Sequence, residues 1–222
     1  MTIAHRGGHN EQAVGSRNIV KEEVECKLIN NATGKYLSKL GVKHIDCSQG
    51  RCNESTDLVN GVKKANSNGA EIFASIHMNN AYSSKQNKAM GVEIWVYKDS
   101  FKEAEQVLNK LVALGFKNRG IKSMVREGKN LYELKQTTGR AMIIECGFVE
   151  STVDMDLYKK LGADKIGQVI AEGLTGKTVK KKETRYSVKV SGMTDQKRQQ
   201  LIIDFLKENK FNYKAEKYEV EI

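Results

Sequence analysis

The stretch Glu71 to Asn80, Glu-Ile-Phe-Ala-Ser-Ile-His-Met-Asn-Asn, guides the interpretation of the rest of the chain. Its apolar run from Glu71 to Met78 is typical of a strand that is buried on both faces. His77 ends that run, so its imidazole is predicted to lie at the mouth of a sheet, where binding groups are usually found. A lone histidine there is more often structural than functional, so His77 indicates a site only if it has partners.

Strands and helices alternate on the N-terminal side of this strand. Residues 2–4 predict a first short strand, and residues 22–40 predict a helix that ends at Gly41. Residues 42–47 predict a second strand, and residues 56–68 predict a second helix. The first helix is expected to bury an apolar stripe at every fourth position, comprising Val24, Leu28, Ala32, Tyr36 and Leu40.

The alternation continues on the C-terminal side. The predicted elements are a loop at 82–89, a strand at 91–97, a helix at 101–114, a connection at 118–120 followed by a basic loop, a strand at 141–146 and a helix at 164–174. This order predicts an α/β fold with a twisted, mostly parallel sheet flanked by helices. Sites in such sheets lie at the carboxyl ends of the strands.

A change of composition near residue 177 indicates a domain boundary. We expect a main domain at 1–177, a basic linker at 178–184 and a small C-terminal module at 185–222. The module has a βαβ pattern, with a strand at 186–190, a helix at 195–208 and a strand at 213–222. About 40 residues are too few to bury a good core alone, so we expect the module to dock on the main domain or to pair with a second copy of itself.

The composition favours a polyanionic environment. The 222 residues carry a formal net charge of +10, and the pI is about 9.3. Such a charge suits nucleic acid, an anionic membrane surface or a wall that carries acidic polymers. No nucleic-acid recognition pattern accompanies the charge, so we predict no nucleic-acid partner. No apolar run is long enough for a membrane span and the start lacks an apolar signal region, so we expect synthesis in the cytoplasm without a signal peptide.

The four cysteines do not resemble a disulfide framework, and we expect reduced thiols. Cys47 and Cys52 have the spacing of half a metal-binding motif, but no second pair matches them. Cys146 is a weak candidate for a nucleophile, because on a strand it points away from the face of its neighbour Glu145.

Three other residues give His77 the partners that it needs. His9 follows the first strand, Glu22 opens the first helix, and Glu145 lies in the apolar strand at 141–146. Two histidines and one carboxylate suffice for a catalytic zinc site, with a second carboxylate left as the base. Burying Glu145 in Met-Ile-Ile-Glu-Cys-Gly-Phe costs free energy unless it is paired or serves a purpose.

Nearby residues offer alternatives for two of these positions. His5 is the rival of His9, and it fits better if the strand ends at residue 4 or 5. Glu23 and Glu25 compete with Glu22 at the start of the helix. His44 lies in the polar phase of a strand, and we expect no functional role for it.

The motifs resemble those of zinc-dependent N-acetylmuramoyl-L-alanine amidases of the type 3 class, and most closely those of phage endolysins within it. The matching stretches are Gly8-His9, Glu22, Ser75-Ile76-His77-Met78-Asn79, and Ile144-Glu145-Cys146-Gly147-Phe148. The resemblance implies that His9, Glu22 and His77 bind Zn²⁺ and that Glu145 is catalytic. Two departures stand out: Asn10-Glu11 follow His9 where many members have Gly-Gly, and Gly61 stands where many members carry arginine.

The resemblance also implies an activity. The protein is expected to be a hydrolase that cleaves the amide bond between N-acetylmuramic acid and the L-alanine of the stem peptide in Gram-positive peptidoglycan. Anionic wall polymers are expected as further partners, and a homodimer through the C-terminal module is a further expectation. An endolysin made in the host cytoplasm would act on the wall after its release. The alternatives are a sporulation or autolytic amidase of a bacterium and a wall-binding module without catalysis.

Overall fold

Six strands in the described part of the chain form one mixed sheet. The computed structural model describes residues 1–179 and 196–209. The strands are β1 (Thr2–Gly7), β2 (Lys43–Asp46), β3 (Ile72–Asn79), β4 (Val92–Val96), β5 (Asn118–Ser123) and β6 (Arg140–Phe148). The helices are α1 (Glu22–Lys39), α2 (Glu54–Ser67), α3 (Lys102–Ala113), α4 (Tyr132–Gln136), α5 (Thr152–Thr175) and α6 (Gln196–Glu208). The order in the sheet is β2-β1-β3-β6-β4-β5.

One reversal interrupts the parallel arrangement. β2, β1, β3 and β6 are parallel neighbours, whereas β4 runs antiparallel to β6 and β5 runs parallel to β4. The register places His77 beside Glu145 and Glu145 beside Glu93. The prediction of an α/β fold with a mostly parallel sheet is therefore confirmed.

The two faces of the sheet are covered differently. The larger apolar cluster lies under α1, α3 and α5, with members such as Ile29, Leu111 and Ile170. The smaller cluster lies on the opposite face, where Phe73 packs with Leu134 and with residues of α2. Because side chains alternate along a strand, Ser75, His77 and Glu145 share the face of the smaller cluster.

The predicted apolar stripe of α1 was wrong in part. Val24 and Leu28 are 44% and 49% exposed, whereas Ala32 and Tyr36 are buried as predicted. The buried face instead runs through Cys26, Ile29 and Leu37. An exact four-residue repeat advances by about 40° at each step around a helix of 3.6 residues per turn, so one series cannot stay on one face.

Three elements differ from their predictions. The residues predicted as a connection and a basic loop form the edge strand β5, whose polar side chains hid its extended backbone. The short helix α4 was not predicted. α5 begins at Thr152, capped by Ser151, rather than at residue 164, and it includes a kink at Gly162.

The chain divides into two units, Met1–Lys180 and Lys181–Ile222. In the second unit, α6 matches the helix predicted at 195–208. The strands predicted at 186–190 and 213–222 lie outside the described residues. No helix in the described ranges is both long enough and apolar enough to cross a membrane.

Candidate metal centre

Two histidines and a glutamate converge at the carboxyl end of the sheet. His9 lies just after β1, Glu22 is the first residue of α1, and His77 lies near the end of β3. Glu22 Oε1 is 3.2 Å from His9 Nε2 and 3.2 Å from His77 Nδ1. One potential ligand atom from each residue lies within 4.8 Å of the others. The structure thus brings together the three residues that the sequence indicated as ligands.

Backbone donors hold Glu22 in this position. Its Oε2 accepts a hydrogen bond of 2.7 Å from Ser16 N, and its Oε1 accepts one of 3.2 Å from Met78 N. Burial alone would raise the pKa of Glu22, but hydrogen bonds from His77 and His9 outweigh it and lower that pKa far below its ordinary value. The centre therefore holds an ionised carboxylate between two imidazoles.

The spacing of the three donors fits a tetrahedral metal ion. Zinc bonds to nitrogen and oxygen are about 2.0–2.2 Å long, which separates neighbouring ligands of a tetrahedron by about 3.3 Å. The two nitrogen–oxygen separations of 3.2 Å agree with that value. Two glycines make the close packing possible: a Cβ on Gly8 would lie 2.2 Å from the ring of His77, and one on Gly15 would lie 2.5 Å from Glu22 Oε2. The donor set and its surroundings fit zinc.

His9 has an unusual backbone conformation. Its φ of 66° is left-handed, and no other non-glycine residue in the described ranges has a positive φ. Such conformations cost about 1–3 kcal/mol and are often retained at functional sites. The conformation places the imidazole opposite Glu22, as a ligand requires.

Glu145 lies beside the convergent trio with one oxygen unpartnered. Its Oε2 is buried and has no hydrogen-bond partner among the described residues. Burial raises the pKa of Glu145 to about 7; nearby Glu22 and Glu93 raise it too, while His77 opposes the shift. A carboxylate with a pKa near neutrality and a free oxygen is suited to accepting and returning a proton.

Glu93, the other neighbour of Glu145, is fully engaged. Its Oε1 accepts hydrogen bonds from Asn79 Nδ2 at 2.8 Å and from Trp95 Nε1 at 3.1 Å, and its Oε2 accepts one of 2.7 Å from Arg119 Nε. No role was predicted for Glu93 or Arg119, although Gly91-Val92-Glu93 and Asn118-Arg119-Gly120 also resemble stretches of the amidases. The two adjacent carboxylates thus differ in their contacts: both oxygens of Glu93 accept hydrogen bonds, whereas Glu145 Oε2 accepts none from the described residues.

The second ring nitrogen of His77 also has partners. Nε2 is 3.1 Å from Ser75 Oγ and 3.8 Å from Glu133 Oε2, and Ser75 Oγ donates to Glu133 Oε1 at 3.0 Å. Burial alone would lower the pKa of His77, but the nearby carboxylates of Glu133 and Glu22 raise that pKa to about 10. No role was predicted for Glu133, although its stretch Leu131-Tyr132-Glu133-Leu134 also resembles the amidases.

An arginine from β1 holds Glu133. Arg6 Nη1 donates to Glu133 Oε1 at 2.8 Å, and Arg6 Nη2 donates to Asp57 on α2. The guanidinium lies against Gly61, where an added Cβ would be 3.5 Å from Arg6 Nη1. Arg6 therefore places a guanidinium beside the α2 position at which many family members carry arginine.

The rival residues lie elsewhere. His5 is buried, with Nδ1 2.7 Å from Asn30 Oδ1 and Nε2 2.9 Å from His44 Nδ1. Glu23 pairs with Arg17 at 2.5 Å, and Glu25 accepts a hydrogen bond from Tyr158. Among the described residues, the one cluster of metal-binding side chains contains no cysteine, so Cys47 and Cys52 form no such site.

A loop borders the centre. It connects β3 to β4 and spans residues 80–91. The carboxylate of Glu150 accepts hydrogen bonds from Ala81 N at 2.7 Å and Tyr82 N at 3.0 Å. The carboxylate of Asp154 accepts bonds from the backbone nitrogens of residues 90 and 91 at 3.1 and 2.7 Å. Both ends of this border loop are thus fixed by buried acids from the segment that follows β6.

A sheet with two histidines and a carboxylate around one point, and a free buried glutamate beside them, has the donor set of a catalytic metal centre. Comparison with known proteins identifies its relatives. The chain belongs to the N-acetylmuramoyl-L-alanine amidase family, whose sequence model matches residues 2–176.

Individual relatives match most of this chain. An uncharacterized protein of Clostridium perfringens strain 13 is 38% identical over 199 residues, which are 88% of this chain and 56% of that protein. The chain spans just over half the length of the curated relatives that it matches.

Solved structures share the fold. The catalytic domain of the CD27L endolysin targeting Clostridia difficile has a TM-score of 0.67 at 22% identity, covering 81% of this chain and 99% of that domain. The amidase AmiC2 of Nostoc punctiforme has a TM-score of 0.69 at 20% identity, covering 79% of this chain and 96% of that one.

Proposed function

We propose that this protein is a zinc-dependent amidase that hydrolyses the bond between N-acetylmuramic acid and the L-alanine of the peptidoglycan stem peptide. The observation that carries the proposal is the convergence of His9, Glu22 and His77 beside the unpartnered Oε2 of Glu145. Membership of the amidase family supports the substrate and the bond.

The proposed residues have two roles, metal binding and proton transfer. His9, Glu22 and His77 would hold the ion, which when bound supplies the Lewis acidity that activates water and polarises the amide carbonyl. Glu145 takes the proton of the attacking water. It then returns that proton to the nitrogen of L-alanine, so that the amine leaves in neutral form. The raised pKa of Glu145 suits it to both steps, since the group must gain and lose a proton near neutral pH.

Digestion of purified Gram-positive peptidoglycan tests the proposal. We expect new N-terminal alanine, without new reducing sugar ends, and we expect this release to stop with a chelator and return with zinc. Reducing ends instead of alanine would indicate a glycosidase. Bound zinc without any release would indicate the alternative of a non-catalytic wall-binding module.

Glu145→Gln examines the proton carrier separately. We expect the rate of alanine release to fall about 10²–10⁴-fold with zinc still bound, because general acid–base catalysis is worth that much. Glu172→Gln is the matched control, since Glu172 is also buried but lies on α5 and bonds Lys110 and Gln168. Full activity in Glu145→Gln would assign the proton transfer to another group.

The proposed setting is a phage endolysin that acts on the walls of Gram-positive bacteria. Support comes from the motif resemblance and from the fold shared with an endolysin catalytic domain. The alternative is a sporulation or autolytic amidase. Parallel digestion of vegetative sacculi and of spore cortex decides between them: an endolysin is expected to release alanine faster from vegetative sacculi, and a sporulation enzyme faster from cortex.

We further propose the division into a catalytic domain at 1–177, a basic linker at 178–184 and a module at 185–222 for wall targeting or self-association. On α6, Leu201 and Phe205 are exposed one turn apart, which supports a contact surface. Replacing both with serine is expected to weaken co-sedimentation with sacculi if the module targets the wall. The same replacement is expected to dissociate a dimer in sedimentation velocity if the module self-associates.

A further inference from the structure

A chain of buried polar side chains leads from α2 to the metal centre. Its links are Asp57 to Arg6, Arg6 to Glu133, Glu133 to Ser75, and Ser75 to His77. The first four of these residues are each at most 3% exposed. We call this set the His77 relay. It reaches His77 from the side opposite Glu22, at ring nitrogen Nε2 rather than Nδ1.

The donors and acceptors along the relay allow one arrangement. A carboxylate only accepts hydrogen bonds, and a guanidinium only donates them. Ser75 therefore gives its single hydroxyl hydrogen to Glu133 Oε1, 3.0 Å away. The lone pair of Ser75 Oγ remains for His77 Nε2 at 3.1 Å, so that nitrogen must be the donor. A neutral imidazole that carries its hydrogen on Nε2 presents a lone pair at Nδ1, on the side of Glu22 and His9.

The relay places a net negative charge beside His77. One guanidinium, Arg6, lies between two carboxylates, Asp57 and Glu133, so the three groups together carry one net negative charge. Glu133 Oε2 lies 3.8 Å from His77 Nε2, so this negative charge lies next to the ring hydrogen. A buried Arg with two acids is rarely better for stability than apolar residues of the same volume, so stability alone does not explain its presence.

We propose that Ser75 and Glu133 are positioning residues that fix His77 in the Nε2–H tautomer with Nδ1 aimed at the metal, and that Arg6 and Asp57 hold Glu133 for this task. The inference rests on the proposed function, since it needs a metal ion at the centre. Histidine ligands commonly donate their second ring hydrogen to such a partner, and loss of the partner typically weakens metal binding 10–100-fold.

Zinc affinity of Ser75→Ala provides the first test. This variant removes the hydroxyl but leaves Arg6 paired with both acids, so the buried charges keep their partners. We expect zinc, measured by competition with a chromophoric chelator, to bind about 10–100-fold more weakly. Ser123→Ala is the matched control, because Ser123 is also buried on a strand and bonds Arg126 N outside the relay. Its zinc affinity should equal that of the unmodified protein.

Two further variants distinguish a positioning role from a general loss of folding stability. Ser75→Thr keeps a hydroxyl at the same place and is expected to recover most of the lost affinity. Glu133→Gln keeps an oxygen for Arg6 but removes the charge, and we expect an affinity between those of Ser75→Ala and the control. Thermal unfolding of the metal-free variants reports any loss of folding, which a positioning role does not require.

The tautomer itself can be observed. The chain has four histidines, so ¹⁵N-histidine labelling of the zinc-loaded protein gives a readable NMR spectrum. We expect the His77 ring to carry its hydrogen on Nε2, with Nδ1 bound to zinc. A hydrogen on Nδ1, or an unchanged zinc affinity in Ser75→Ala, would overturn the positioning role while leaving the amidase intact. Failure of the unmodified protein to bind zinc would instead overturn the proposed function.

Discussion

Two pairs of histidines lie at similar separations but have different chemical properties. The ring centroids of His9 and His77 are 5.0 Å apart, and those of His5 and His44 are 5.1 Å apart. In the first pair, one nitrogen of each ring faces Glu22 Oε1. In the second pair the two rings are joined by a hydrogen bond between His5 Nε2 and His44 Nδ1. Their remaining nitrogens face neutral oxygens of Asn30 and Ser38. Proximity alone therefore does not distinguish the two pairs: in the first pair the ring nitrogens converge on a carboxylate, whereas in the second they are used by each other and by neutral groups.

The position of the acids explains the difference. Asp46 is the strand neighbour of His5 but makes no hydrogen bond to either ring of the second pair; its Oδ1 accepts one from the Asn30 amide at 3.1 Å. Burial dominates there and lowers the pKa of His5, so that ring stays neutral. Around His77 the acids overcome burial and raise its pKa to about 10. The pKa values of His5 and His77 are therefore shifted in opposite directions within the same protein.

The largest expected effect comes from breaking the first pair. His77→Ala removes one of the three proposed ligands, and we expect zinc affinity to fall roughly 10²–10³-fold, since four-ligand zinc sites gain about 10–16 kcal/mol in total. Alanine release should disappear with it. His44→Ala is the matched control in the second pair and should bind zinc normally. Equal losses in both variants would mean that the two pairs are not functionally distinct.

Breaking the second pair should affect stability instead. His5→Leu leaves Asn30 Oδ1 and His44 Nδ1 without their partner, and each unsatisfied buried group costs about 1–3 kcal/mol. We expect the free energy of unfolding in urea to fall by about 2–4 kcal/mol, with zinc affinity unchanged. A weaker zinc site in His5→Leu would show that the second pair supports the centre.

The pH dependence of zinc binding sharpens the contrast. The metal-free centre holds a proton on His77 up to a pKa of about 10, so zinc must displace that proton at neutral pH. Displacing one proton makes zinc affinity rise about tenfold per pH unit, and we expect this slope between about pH 7 and pH 9. Chelator competition at several pH values measures it. A flat profile would contradict a protonated His77.

The smallest expected effect is a loss of folding stability at acidic pH through His5. Because the folded pKa of His5 lies below its unfolded value of about 6.5, the unfolded chain takes up this proton first as the pH falls. The stability that neutral His5 contributes is therefore present above about pH 6.5 and is lost as the pH falls below it. We would measure the free energy of unfolding of the metal-free protein in urea at pH 7 and at pH 5. The decrease between the two pH values should be larger for the unmodified protein than for His5→Leu.

Periodicity indicated where His77 and Glu22 lie, and the family resemblance singled out His9, Glu22 and His77 from nearby alternatives such as His5, Glu23 and Glu25. His77 ends an apolar strand and Glu22 opens a helix, so their convergence follows from the parallel topology. Their roles as ligands, and that of Glu145 as base, stay predictions.

The His77 relay was beyond sequence reasoning. Arg6 and Glu133 lie 127 positions apart, and nothing in either local sequence indicates that the two side chains pair. Their burial follows only from the packing of α2 and α4 on one face of the sheet. β5 was missed for a related reason: an edge strand needs few apolar side chains, so its pattern does not differ from that of a loop.

The reversal of β4 has a consequence for how such a protein diversifies. Since β4 runs against β6, the border loop at 80–91 leaves and re-enters the sheet at the same edge, beside the centre. Glu150 and Asp154 hold its two ends and Gln86 in its middle pairs with Ser151, so the exposed residues between these fixed points can change in length or charge without moving a strand. Under the proposed function, this loop can therefore vary with the wall polymer that is bound, while the proposed ligands and Glu145 stay unchanged.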